Sequence, residues 1–149
     1  LDYRIRHLLL DEFQDTSLPQ FQLVSRLLAG WSPDDGRTVF AVGDPMQSIY
    51  RFRQADVRLF LRAWQHGIGP MPMQQLRLSA NFRSVPGIVE WVNQAFDGAR
   101  GGAFPRVDDP IAGASRYAPS EAVRDAAGET AVQLHSFAAP RPRPSRSRA

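Results

Sequence analysis

The stretch Leu8-Leu9-Leu10-Asp11-Glu12-Phe13-Gln14-Asp15-Thr16 decides how the rest of the chain reads. A short apolar run that stops in acids is the pattern of a buried parallel strand whose C-terminal end reaches a site. This predicts a strand within Ile5 to Asp11. A second run, Val39 to Val42, closes the same way at Gly43-Asp44-Pro45, and Leu76 with Leu78 marks a third, short strand. Between the strands, apolar residues recur at helical spacing. The first set is Phe21, Val24, Leu27 and Leu28 after Pro19. The second is Val57, Phe60, Leu61 and Trp64 before Gly67, and the third is Ile88, Val89, Val92 and Phe96 after Pro86. Strands alternating with helices predict an α/β fold, a parallel sheet with flanking helices. Three strands and three helices read as part of a larger doubly wound domain rather than the whole of one.

This order holds over residues 1–97. Over residues 98–130 the periodicity fades into Gly, Pro and Asp, which predicts an irregular linker or an incomplete segment of a further domain. Residues 131–137 alternate apolar and polar, as an edge strand does. Residues 138–149 form a Pro/Arg/Ser tail with little to bury, expected to be disordered.

Charge follows the same division. The 149 residues carry 18 basic and 15 acidic side chains, a net of +3. Four of the basic residues, Arg141, Arg143, Arg146 and Arg148, lie in the tail; without them 14 Arg face 15 acids. The excess is therefore a property of the tail and no signature of a DNA-binding surface in the ordered part. All 18 basic residues are Arg. A P-loop ends in Gly-Lys-Ser/Thr, so these residues contain no complete P-loop. There is no Cys, and His7, His66 and His135 are too far apart for metal-ligand spacing. No run approaches the roughly 18 apolar residues of a membrane span, and no secretory leader opens the chain, so the expected location is cytoplasmic, with no membrane partner. The chain opens on Leu1 rather than Met, the expectation being a fragment or a processed piece.

Three stretches carry chemistry. Asp11 and Glu12 fall where a strand ends, the edge at which open α/β sheets bind ligands. Neighbouring carboxylates suit Mg²⁺, which takes few protein oxygens beside substrate phosphates, while a second carboxylate polarises a water. An isolated Asp-Glu pair would more readily be a solvated acidic turn after a strand; the longer Asp11 to Thr16 string changes that. In the second stretch, Gly43 to Arg53, the amide of Gln47 can donate to a phosphate and accept from a water. Tyr50 and Phe52 interleave with Arg51 and Arg53, the elements of a single-strand surface in which rings stack bases and guanidinium groups hold phosphates; as residues alone, the two rings would equally be core. The third stretch, Asn81-Phe82-Arg83-Ser84, places an Arg just after a strand, a candidate clamp for developing phosphoryl charge; taken alone, Arg83 reads as a surface Arg in a loop.

Taken together and in order, these stretches resemble the UvrD/RecB-type superfamily 1 DNA helicases over roughly residues 3–97. Asp11 to Thr16 looks like the Walker B motif, helicase motif II; Gly43 to Tyr50 with Phe52 and Arg53 resembles motif III; Asn81 to Ser84 looks like motif IV. The resemblance implies a RecA-like fold, the C-terminal half of domain 1A with the start of 2A. It also implies ATP and Mg²⁺ as cofactors, single-stranded and duplex DNA as partners, and nuclease or other helicase-complex subunits as further partners. By position, Asp11 would hold Mg²⁺, Glu12 would activate the hydrolytic water, and Gln47 would sense the γ-phosphate. Tyr50, Phe52 and Arg53 would contact single-stranded DNA, Phe82 would lie against adenine and Arg83 would reach the γ-phosphate. Many relatives carry Trp where Phe52 stands, which leaves a smaller stacking face. Two readings from other classes are a metal nuclease using Asp11, Glu12 and Asp15, and a single-strand binder without catalysis.

Overall fold

In the computed structural model, residues 4–125 and 131–137 are described. The fold is α/β. Strands β1 (His7–Leu10) and β2 (Thr38–Ala41) pair in parallel, with Leu8 opposite Val39 and Leu10 opposite Ala41. Such a pairing needs a crossover, and helix α1 (Leu18–Leu27) supplies it. Ser17 precedes α1, and Gln20 Oε1 accepts from both the Ser17 amide and its hydroxyl at 2.8 Å, tying down the first turn.

Helix α2 (Val57–His66) starts at Asp56, whose carboxylate accepts from the Arg58 amide at 3.0 Å. It stops at Gly67, which has φ +79° and whose missing Cβ would lie 2.2 Å from the Met71 carbonyl oxygen. Helix α3 runs from Pro86 to Phe96.

The core lies under one face of the β1–β2 pair. Leu8, Leu10, Val39 and Ala41 pack onto Phe13, Phe21, Val24 and Leu28, with Leu59, Phe60, Leu61 and Ala63 of α2 closing it. Trp31, Ile68 and Met71 complete the cluster from loops. Strand alternation sends the neighbouring side chains to the opposite face. There Leu9 and Phe40, paired in register, are 67% and 54% exposed. The expected burial of these strands is thus realised on one face only: α1 and α2 cover the same side.

Several expectations are corrected. The third strand is not at Leu76 and Leu78, which are exposed; β3 is Ala80–Asn81, paired in parallel with β4 (Glu121–Ala122). The described strands therefore form two two-stranded sheets instead of one three-stranded sheet. The described part of residues 98–130, read as a linker or an incomplete segment of a further domain, is largely irregular but packs on α3. Asn93 on α3 donates from Nδ2 to the Ser120 carbonyl at 2.8 Å and accepts the Tyr117 hydroxyl at 2.8 Å. The rings of Phe96, Phe104 and Tyr117 lie within 5.9–6.3 Å of one another. Residues 131–137 form no strand, and Leu134 and Phe137 stay exposed. The Pro/Arg tail lies outside the described residues. Among them, no helix is long and apolar enough to cross a membrane.

Candidate functional site

The C-terminal ends of β1 and β2 turn toward each other and build one polar cluster. The Val42 amide donates to the Leu10 carbonyl at 2.8 Å, and the Phe13 amide to the Val42 carbonyl at 2.8 Å, lacing the two exits together. After β1, Asp11 Oδ1 accepts from the Glu12 amide at 2.9 Å. Glu12 has φ 49° and ψ 41°, a left-handed conformation that costs an L-residue other than Gly about 1–2 kcal/mol. Strain of this kind persists only where the surroundings over-determine it. Here they do, because the next residue is an anchor: Phe13 is buried, with its ring 6.2 Å from Phe21 and 6.3 Å from Phe60.

A 3₁₀ turn (Phe13–Asp15) then brings Gln14 and Asp15 against the loop that follows β2. Gln14 is 2% exposed. Its Nε2 donates to Glu12 Oε2 at 2.7 Å and to Asp15 Oδ2 at 3.3 Å, and its Oε1 accepts from the Asp44 amide at 3.0 Å. Ser48 Oγ donates to Asp15 Oδ1 at 3.0 Å. Asp44 caps a second 3₁₀ turn (Pro45–Gln47), accepting from the Met46 amide at 2.9 Å and from Gln47 Nε2 at 2.8 Å. The close approach of the two loops requires Gly43, because a Cβ there would lie 2.5 Å from Gln14 Oε1.

The structure therefore brings Asp11, Glu12, Asp44 and Gln47 to one edge. Tyr50, Phe52 and Arg53 follow in the next turn (Arg51–Arg53). Phe52 is 77% exposed and Tyr50 is partly exposed, so neither is a core ring. The two rings lie 5.8 Å apart at 53°, and the Arg53 guanidinium sits 5.1 Å from the Tyr50 ring and 5.5 Å from the Phe52 ring. Arg53 thus holds both rings by cation–π attraction.

Phe82 and Arg83 lie in the bend after β3 of the other sheet. Asn81 Oδ1 accepts from the Arg83 and Ser84 amides at 3.0 and 2.9 Å, and Phe82 is exposed. Among the described residues, no hydrogen bond or ion pair joins Phe82 or Arg83 to the carboxylates.

Asp11 and Glu12 are hard oxygen donors at an exposed edge, a set that fits Mg²⁺ shared with phosphate oxygens and water. Asp15, the third acid of the nuclease reading, is occupied by Gln14 and Ser48. Among the described residues no three acids or imidazoles gather as a metal cluster. A cavity of about 680 Å³ bounded by Arg4, Arg6, Trp31 and Arg37 flanks the starts of the strands and shares no residue with this edge. Gln14 and Asp44 stand in the stretches that the sequence singles out, but neither is given a site role there. The signal for Gln14 was its place beside Phe13, an aromatic in a polar string that has to turn inward and takes its neighbours with it.

Residues 1–66 match the family described as the UvrD/REP helicase N-terminal domain. Individual relatives then narrow the likeness. The RecBCD enzyme subunit RecB of Chlamydia trachomatis serovar D is 44% identical over 89 residues, covering 59% of this chain and 8% of that protein. An ATP-dependent helicase/nuclease subunit from Desulfitobacterium hafniense is 42% identical over 98 residues, covering 59% of this chain and 7% of that protein. The chain thus spans 7–8% of the length of these relatives. The likenesses support a DNA helicase family for the matched part.

Proposed function

We propose that these residues are part of an ATP-dependent DNA motor of the helicase–nuclease type, within a RecA-like domain, that translocates 3′ to 5′ on single-stranded DNA and unwinds duplex during repair or recombination. The observation that carries it is the adjacency at one sheet edge: the Asp11–Glu12 exit of β1 shares hydrogen bonds with the Gln47 turn after β2, and the Tyr50–Phe52–Arg53 group follows three residues later.

Asp11 offers its free carboxylate oxygen to a Mg²⁺ that would neutralise charge on the nucleotide phosphates. Glu12, held with its carboxylate outside the core, accepts the proton of the attacking water. Gln47 turns its amide from Asp44 to the terminal phosphate. Because Tyr50 follows Gln47 so closely, that movement is felt at the two rings, which stack on bases while Arg53 faces the backbone. Phe82 would lie against adenine and Arg83 would reach the terminal phosphate, carried in by the second sheet. The phosphate-cradling Lys is absent from these residues, so the isolated chain hydrolyses no ATP above background.

The test uses a protein of the relatives' length that contains these residues. Glu12→Gln should lower single-strand-stimulated ATP hydrolysis by about two orders of magnitude or more, the scale of lost acid–base assistance, while ATP binding persists. Undiminished hydrolysis would refute the role of Glu12. A binding module without catalysis is the second reading, favoured by the exposed rings. It predicts single-strand binding by this chain that nucleotide does not alter, even in the longer protein.

A further inference from the structure

Among the described residues, Gln14 is the one polar side chain buried in the core. Both ends of its amide are used, and each end meets groups of one hydrogen-bonding kind only. Nε2 faces the carboxylates of Glu12 and Asp15, while Oε1 faces the Asp44 amide. Rotating the amide by half a turn would set an oxygen against two carboxylates and an N–H against an N–H. The orientation is therefore fixed, as buried polar networks require. Asp44 extends the chain, since its Oδ2 accepts from Gln47 Nε2 at 2.8 Å. The result is an unbroken path of three hydrogen bonds, from the Glu12 carboxylate through Gln14 and Asp44 to the Gln47 amide, with lengths of 2.7, 3.0 and 2.8 Å.

We propose that Gln14, with Asp44, is a positioning relay that fixes the Glu12 carboxylate relative to the Gln47 amide, so that a change of hydrogen bonding at one end is registered at the other. Its functional meaning rests on the proposed roles of Glu12 and Gln47. In the resting arrangement the Gln47 amide is parked on Asp44 and the Glu12 carboxylate on Gln14. Release of either loosens the shared path, so the two groups leave for their tasks together. Gly43 enforces the arrangement by leaving Gln14 Oε1 the space that a Cβ would take.

The experiment is nuclear magnetic resonance on the isotopically labelled full chain, without nucleotide. In the wild type, a scalar coupling through the hydrogen bond should connect the Asp44 amide nitrogen to the Gln14 side-chain carbonyl carbon. Glu12→Gln should shift both the Asp44 amide and the Gln47 side-chain amide resonances. In Gln14→Met, which keeps the volume and removes the donors and acceptor, Glu12→Gln should no longer move the Gln47 resonance. A Gln47 shift that survives Gln14→Met overturns the relay. So does the absence of the coupling in the wild type, a measurement that decides the matter even if Gln14→Met does not fold. Failure of the motor assignment reads out elsewhere: Glu12→Gln in the longer protein would then leave hydrolysis intact while the coupling and shifts are still seen.

Discussion

Replacing Gly43 with alanine inserts one methyl group where two loops meet, and the structure sets the size of the effect. The new Cβ would lie 2.5 Å from Gln14 Oε1, 3.0 Å from the Gln14 nitrogen and 3.1 Å from the Phe13 nitrogen. None of the three can retreat freely. Gln14 is enclosed, and the Phe13 amide is held by the Val42 carbonyl at 2.8 Å. Overpacking of this kind costs about 1–3 kcal/mol. Displacing Gln14 Oε1 also takes the acceptor from the Asp44 amide, adding about 1 kcal/mol. A combined loss of about 3 kcal/mol, at a urea slope of about 2 kcal/mol/M, lowers the unfolding midpoint by about 1.5 M. Gly30 is the control, since a Cβ there meets nothing within 4 Å. Gly30→Ala should be neutral or stabilising by up to about 1 kcal/mol, because it restricts the unfolded chain. Equal midpoints for Gly43→Ala and Gly30→Ala would refute the close-approach argument and, with it, the basis for a rigid relay.

Leu28 is fully buried, and Leu28→Ala should cost about 2–5 kcal/mol, a fall in Tm of roughly 5–15 °C by calorimetry. Hydrogen bonds from the Arg58 guanidinium hold the Asp56 carboxyl below its ordinary range, and Arg37 does the same for Asp35. Both carboxylates therefore contribute stability above about pH 4 that is lost as pH falls through their lowered values. Denaturant titrations across acid pH should show this loss, and Asp56→Ala should flatten part of it while removing about 1 kcal/mol of helix capping. Tyr50→Ala with Phe52→Ala should weaken single-strand binding by about tenfold or more in fluorescence anisotropy, given about 1–3 kcal/mol per stacked base; unchanged affinity would remove the rings from the DNA surface.

What the sequence revealed depended on how local each signal was. β1 was legible because three leucines and an acid are contiguous, and α2 because its apolar positions recur before Gly67. Leu76 and Leu78 mislead for the same reason: alternation is local, but a strand exists only with a partner. The partner of β3 is Glu121–Ala122, far along the chain. Trp31, Ile68 and Met71 enter the core from loops that carry no periodicity. In the candidate site, the acids and the Gln47 turn could be read from residue type and order. Gln14 could not, because a glutamine between acids looks solvated until Phe13 is seen to drag it inward. The distance between the two sheets' motifs is a matter of packing, which no spacing along the chain encodes.

The left-handed backbone at Glu12 sets stability against activity at a single position. Glycine would adopt φ 49° without steric penalty, so Glu12→Gly relieves about 1 kcal/mol of strain while deleting the carboxylate proposed to activate water. A library of variants screened only for thermal resistance would therefore enrich for loss of that group. Selection at this position has to be imposed through turnover, because robustness alone rewards its removal.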